Sequence, residues 1–447
     1  MLKKVGLISL GCARNLVDSE VILGSLKREG FDVSNKTDLV DICVINTCAF
    51  IGPAREESVD TILEAARLKK EGRIKKIVVC GCLSQAYKKD LLKELPEVDL
   101  LVGTSDFPMM GKLLKKLSGK NSKYACAVSK KLNYLYDEKS PRIRLTPRHY
   151  AYVKISEGCS NFCSYCIISR LRGGFRSRTM SSVVNEIGSL SRGGLLKEVN
   201  LVGQDTTLFG IDIYGKMVFP ELLGRLCSSK NGPDWIRILY THPAHYTDAF
   251  INVIRENDRI CKYLDLPIQH ISDSVLKRMN RRTTKDGLIR LIARLKDNIP
   301  GLAIRTSIIV GFPGETDNDF RELLKFVKDT EFDRLGAFLY SEEEGTAASR
   351  MKGKVPIRTA EARLDELMKL QKTISAERNK RFIGKRIRVL IDEEPESKGG
   401  SFFGRTEADA PETDGGIFVS GKGIKVGEFC DVRVKDALEY DLVGEKI

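Results

Sequence analysis

The reading turns on Tyr150-Ala-Tyr-Val-Lys-Ile155-Ser-Glu-Gly-Cys159-Ser-Asn-Phe-Cys163-Ser-Tyr-Cys166. Its first six residues form an apolar, β-prone run, and the loop behind it gathers three thiols. Three thiolates this close can wrap one corner of a [4Fe–4S] cube, in which each iron normally takes one cysteine. Three ligands therefore leave one iron open. Zinc would want a fourth ligand to close its tetrahedron, and the next cysteine, Cys227, is 61 residues on.

Downstream of this loop, apolar runs at 198–202, 235–240, 263–267, 303–310 and 335–339 alternate with helical patterns at 182–191, 220–227, 248–255, 286–296 and 317–330. Six strand units are too few for a closed eight-stranded barrel, so an open, partial (β/α)6 barrel is predicted over 148–382. A long charged helix at 358–382 ends it. From Gly384 onward short alternating strands with Gly and Pro turns predict a small antiparallel β-barrel, 383–447. Upstream, runs at 5–10, 41–46, 76–79 and 98–102 alternate with helices at 18–29, 55–70 and 107–117. That alternation predicts an α/β unit with a doubly wound parallel sheet, 1–118, joined by a basic, turn-rich linker, 119–147.

The upstream unit carries a second, dispersed set of thiols. Cys12, Cys48 and Cys82 each follow an apolar run and are spaced by about one βα unit, which puts all three at the carboxyl ends of adjacent strands. Converging there, they would hold a second cluster with an open iron. Buried cysteines that pack as small hydrophobes would give the same pattern, and on pattern alone both readings stand. Cys43 and Cys80 fall inside strands and read as core. Cys126, Cys227, Cys261 and Cys430 have no partners in the pattern. The four histidines show no metal-ligand spacing. Gly416-Ile-Phe-Val-Ser-Gly421-Lys422 nearly matches a phosphate loop, but Gly423 stands where Ser or Thr is required and the context is all-β.

The chain has 447 residues, 42% hydrophobic and 30% charged, with 12 cysteines and a net charge of +14. No apolar run approaches the ~20 residues of a membrane helix. The apolar start, 5–12, runs into Arg14 and Asp18 without a cleavage site, so it reads as a strand and the protein as cytoplasmic, where thiols stay reduced. The charge is uneven: residues 109–150 carry a net +9, residues 383–447 a net −4. The last unit does not look like a nucleic-acid clamp.

With these motifs in view, the chain resembles the radical S-adenosylmethionine (SAM) methylthiotransferases over nearly its whole length. Those enzymes carry an N-terminal cluster domain, a radical-SAM domain and a C-terminal TRAM domain. The resemblance implies two [4Fe–4S] clusters, on Cys12, Cys48, Cys82 and on Cys159, Cys163, Cys166, with SAM chelated at the open iron of the second. It also implies softer SAM contacts. Gly311 and Glu315, in the turn Ile308-Ile-Val-Gly311-Phe-Pro-Gly314-Glu315, look like the family's adenine or ribose contact. Gln204, Asp205 and Gln269 follow strands on the barrel's functional edge, where capping roles fit them as well.

One branch of the family modifies tRNA adenosines, the other the β-carbon of an aspartate in small-subunit ribosomal protein twelve. Gly11-Cys12-Ala13-Arg14-Asn15-Leu16-Val17-Asp18-Ser19-Glu20, Gln204-Asp205-Thr206 and Tyr340-Ser-Glu-Glu-Glu-Gly345-Thr346 are similar to the ribosomal-protein branch. Ala13-Arg14 departs from the usual Pro-Lys, Ala347-Ala348-Ser349 from Pro-Ala-Ala, and Ser169 and Gly174 from the usual segment behind the loop. No departure removes a cluster ligand. The partners implied are that ribosomal protein, free or assembled, and a low-potential electron donor such as flavodoxin or ferredoxin. The acidic last unit would steer a basic substrate, and the basic linker would touch ribosomal RNA. A tRNA substrate, or a non-catalytic iron–sulfur RNA-binding or sensor protein, is the alternative reading.

Overall fold

A computed structural model describes residues 3–117, 125–397 and 399–447. Near the N-terminus, β1 (Lys4–Ser9), α1 (Ala13–Arg28), β2 (Asp32–Ser34), β3 (Val40–Thr47), α2 (Gly52–Lys70), β4 (Ile74–Gly81), α3 (Cys82–Glu94), β5 (Leu100–Val102), α4 (Met110–Leu117) and β6 (Ala125–Ala127) follow in order. The strands form one all-parallel sheet, β2-β1-β3-β4-β5-β6. Its central strands are apolar on both faces because helices cover both. Ile45, Ile77 and Val79 pack on one side, Ile42, Val44 and Val78 on the other. Cys43 and Cys80 are fully buried in β3 and β4.

Helix α3 is absent from the sequence reading for a physical reason. It starts on Gly81 without a side-chain cap or an acidic first turn, and it kinks at Tyr87 (φ −118°, ψ 29°). Of the stretch read as a linker, 119–124 lie outside the described residues, and 125–147 form a packed strap. It supplies β6, and Tyr136 and Arg142 are buried within it. Arg142 bridges Glu20 of the first unit and Glu186 of the second (Nη1–Oε1 2.7 Å).

The second unit is an open, all-parallel sheet with helices outside: β7 (Tyr150–Lys154), β10 (Glu198–Val202), β11 (Trp235–Ile238), β12 (Ile260–Asp265), β13 (Ala303–Val310) and β14 (Arg334–Leu339), paired in chain order. A hairpin of β8 (Ser156–Glu157) and β9 (Arg176–Ser177) brackets the cysteine loop and α5 (Ile168–Arg172). The long helix Ile357–Lys380 packs against β14 and leads to the last unit. There β15 (Arg386–Glu393), β16 (Phe402–Arg405), β17 (Ile417–Ser420), β18 (Phe429–Ala437) and β19 (Leu442–Lys446) close a barrel around Val389, Ile417, Val419 and Val432. The rejected phosphate loop is β17 of this barrel. Among the described residues no helix is long and apolar enough to cross a membrane.

Three carboxylates of the last unit are turned inward. Asp392 accepts from Arg405 (2.7 Å) and contacts His149 (2.8 Å), and Asp409 pairs with Arg334 (2.6 Å). Asp414 accepts from Tyr263 (2.7 Å) and Arg305 (3.2 Å). These carboxylates dock the barrel onto the second unit, so its negative balance overstates what it offers to a partner.

Candidate active site

The carboxyl ends of β1, β3 and β4 are neighbours, and each delivers one cysteine. Cys12 caps α1, Cys48 follows β3 and Cys82 opens α3. Two glycines make the approach possible. At Gly11 (φ +85°) an added Cβ would lie 2.6 Å from the Cβ of Cys48; at Gly81 (φ +93°) it would lie 2.4 Å from Oδ1 of Asn46. Two buried asparagines tie the strand ends. Asn15 Nδ2 donates to the Leu10 carbonyl (2.6 Å), and Asn46 Nδ2 to the Asn15 carbonyl (3.0 Å) and Ser19 Oγ (2.8 Å).

Cations from both units face these thiols. Arg14 donates Nε to Cys12 Sγ (3.4 Å) and Arg172, from α5, donates Nη2 to Cys82 Sγ (3.5 Å). Burial opposes ionisation of Cys12, yet the charge and hydrogen bond of Arg14 hold its thiol below the ordinary value. Burial pushes Cys48 up to about 12 and also raises Cys82.

The loop behind β8 folds its three cysteines around a tight turn. Gly158 (φ +75°) lies under the returning chain, where a Cβ would meet the Gly174 carbonyl at 2.2 Å. Phe162 adopts φ 51°, and Cys166 N donates to the Cys163 carbonyl (3.0 Å). Arg281 donates Nη1 to Cys163 Sγ (3.8 Å). Burial raises Cys159 to about 11 and Cys166 to about 12.

Among the described residues no three cysteine sulfurs lie within 4.8 Å of one another. A tetrahedral zinc with Zn–S near 2.3 Å would hold them about 3.8 Å apart. The donor sets therefore fit a larger inorganic core better than a single ion, and each stops at three thiols. Asp205, His242 and His245 do come within that distance of one another. Asp205 is nonetheless committed: it accepts from Asn161 Nδ2 (2.8 Å) and Thr207 and lies 3.0 Å from His245 Nδ1.

A cavity of about 360 Å³ opens over the second triad, lined by all three of its cysteines and by Arg14 from the first unit. Gln204 and Gln269 line it; Asp205, Gly311 and Glu315 do not. Gln204 donates to Glu157 (2.8 Å), and its Oε1 is buried without a partner. Asp205 fastens Asn161, inside the cysteine loop. A Cβ on Gly311 would lie 2.6 Å from that of Ala360, and Glu315 accepts from Arg363 (3.0 Å). Both therefore serve the packing of the helix Ile357–Lys380.

The sequence reading did not single out Arg14 as a site residue, nor Tyr240. Arg14 lies over the Tyr240 ring (4.2 Å to its centre) and donates to the Gly203 carbonyl (3.2 Å). Its place two residues after Cys12 was the available signal. Tyr240, at φ 58°, gave none.

Three family models cover most of this architecture: an uncharacterized protein family, UPF0004, over residues 4–103, the radical SAM superfamily over 153–327 and a TRAM domain over 383–447. The ribosomal protein uS12 methylthiotransferase RimO of Lachnoclostridium phytofermentans is 46% identical over 442 residues, 99% of each chain. That of Geobacter sulfurreducens is 44% identical over 445 residues, 100% of this chain and 99% of its own. The chain belongs to the RimO methylthiotransferase family. Membership in this radical SAM transferase family agrees with the two cysteine triads and the terminal barrel. The radical SAM methyltransferase TsrM of Kitasatospora setae shares the fold at 15% identity, with a TM-score of 0.55 over 78% of this methylthiotransferase chain and 77% of its own.

Proposed function

We propose that this chain attaches a methylthio group to the β-carbon of an aspartate in ribosomal protein uS12. Cys12, Cys48 and Cys82 would hold one [4Fe–4S] cluster and Cys159, Cys163 and Cys166 another, in units 1–118 and 148–382, with 383–447 as the TRAM unit. The observation that carries this reading is the pair of three-thiol sets, each one ligand short of a full cube, one lining the cavity and the other joined to it through Arg14, which lines the cavity and bonds Cys12. When bound, the clusters and SAM supply one-electron chemistry that can activate a carbon no side chain here could deprotonate, together with sulfur and a methyl group.

The protein's own part is to place and shield. Gln204 Oε1, lacking a partner, is an acceptor for the ammonium of SAM, and Gln269 also lines the cavity, its backbone held by Ser307 and Ile309. Arg14 offers Nη2, which carries no hydrogen bond among the described residues, to the carboxylate of the incoming aspartate. Arg305 also lines the cavity but is held by Asp265 and Asp414 (3.2 Å each). Asp205, Gly311 and Glu315 act at one remove, through the loop and helix they fasten. Lys130, Lys131 and Lys139 of the strap remain exposed for ribosomal RNA. A low-potential flavodoxin or ferredoxin in a reducing cytoplasm would serve as donor.

The test is anaerobic reconstitution with iron and sulfide, iron counting, and mass spectrometry of uS12 after incubation with SAM and reductant. Wild type is expected to hold two clusters and to add a methylthio group. Replacement of either cysteine triad by alanine should halve the iron and abolish the product. A methylthiolated tRNA with unmodified uS12 overturns the substrate, and a single cluster overturns the mechanism.

A further inference from the structure

A second concavity lies on the first unit, between α2 and α3. It has a volume of about 630 Å³ and an apolar floor that includes Val59, Leu83 and Leu91. Four carboxylates edge it: Glu56, Asp60, Asp90 and Glu94. Among the described residues the first three enter no ion pair, and Glu94 meets only its neighbour Lys93 (2.9 Å). The one cation lining the groove, Arg55, is bound to Glu343.

This groove and the cavity share a rim. Ile51 lines the cavity and Gly52 the groove, and Gly52 N donates to Ser341 Oγ (3.0 Å). Glu343 faces the cavity while holding Arg55 at the groove. Beside it, Glu344 has no ion pair among the described residues. Two exposed phenylalanines on the cavity wall, Phe50 (38% exposed) and Phe338 (44%), flank the mouth. An apolar-floored, anionic channel thus leads outward from the place where the substrate side chain must enter.

We infer that this channel is the docking track for a lysine- and arginine-rich extended segment of the ribosomal-protein substrate, next to the modified aspartate. The inference rests on the substrate reading above and deepens it. Unpaired carboxylates on a rim attract a basic chain and speed its encounter, while the apolar floor accepts the methylene stems of its lysines and arginines. The same field repels nucleic acid and an acidic electron carrier.

The test compares reconstituted holoenzymes: wild type, Glu56→Lys/Asp60→Lys/Asp90→Lys, and a control with the same change of charge on the barrel, Glu393→Lys/Glu394→Lys/Glu396→Lys. The groove variant should raise the KM for uS12 about tenfold or more and flatten its dependence on salt. Its kcat, and its formation of 5′-deoxyadenosine from SAM without uS12, should stay within about twofold. An unchanged KM, or an equal rise in the barrel control, overturns the docking while uS12 is still modified. So does a wild-type dimer in sedimentation that the groove variant abolishes, since a second copy would then be the occupant. Wild-type holoenzyme that leaves uS12 unmodified is a different failure, that of the substrate reading, and takes this inference with it.

Discussion

Arg172 holds the two cysteine units together, and its removal has a calculable cost. Its guanidinium donates to Asp18 Oδ2 (2.5 Å) and to Asn15 Oδ1 (2.9 Å) of α1, and lies 3.5 Å from Glu157 Oε2. Lys154 contacts Asp18 and Glu157 as well, the latter at 2.5 Å. Two cations and two carboxylates are thus enclosed together, each at most 5% exposed at its side chain. At 3.5 Å and an effective dielectric of 20, one such contact is worth about 5 kcal/mol before desolvation. Arg172→Met leaves one buried negative charge uncompensated, at a cost of about 3–5 kcal/mol. Asp18→Asn added to Arg172→Met restores the balance and should recover about 2 kcal/mol or more of that loss. Urea unfolding of the metal-free chain would read this. Circular dichroism follows all three units, and Trp235, the only tryptophan and buried in β11, follows the second. Because Arg172 and Asp18 lie in different units, the first unit should unfold at lower urea than the second in the single variant. If Arg172→Met costs under about 1 kcal/mol, or the double variant is no more stable than the single, the charge-balance reasoning is refuted.

Gly81→Ala should separate the strand ends that carry Cys48 and Cys82. It demands φ near +93° and puts a methyl 2.4 Å from Asn46, so a loss of about 2 kcal/mol or more in urea and roughly half the reconstituted iron is expected. Arg14→Met should raise the KM for uS12 more than it alters 5′-deoxyadenosine formation, and Arg14→Lys should recover part of the loss; equal effects of both variants would remove Arg14 from substrate binding. Burial opposes ionisation of Asp319, but bonds from Ser272, Thr316 and Ser274 outweigh it and lower its pKa to about 2. A depressed carboxyl stabilises the fold above its ordinary value of 3.8, so stability should fall as pH drops from about 4 through 2. Asp319→Asn should flatten that segment of the acid-unfolding profile.

Features written into short contiguous segments were legible. The loop 159–166 places three thiols within eight residues, and the cores of β3 and β4 are apolar runs that only a covered parallel sheet accommodates. Features that depend on a distant partner were not. Gly311 and Glu315 sit in a strand–turn–helix segment that looks the same whether a ligand or a helix crowds the glycine. Here Ala360 crowds the glycine and Arg363 holds Glu315, each about fifty residues on. The net charge of the last unit was countable, but its direction was not, because Asp392, Asp409 and Asp414 find their cations on other strands. The anionic channel is the converse case. Its carboxylates belong to two helices, and one of these, α3, lacks the capping residue and acidic first turn that would announce it. Only after β4 carries α3 alongside α2 do Glu56, Asp60, Asp90 and Glu94 share one rim. Charge counted along the chain therefore pointed to the barrel alone, whereas charge left unpaired after folding also edges the groove beside the cavity mouth.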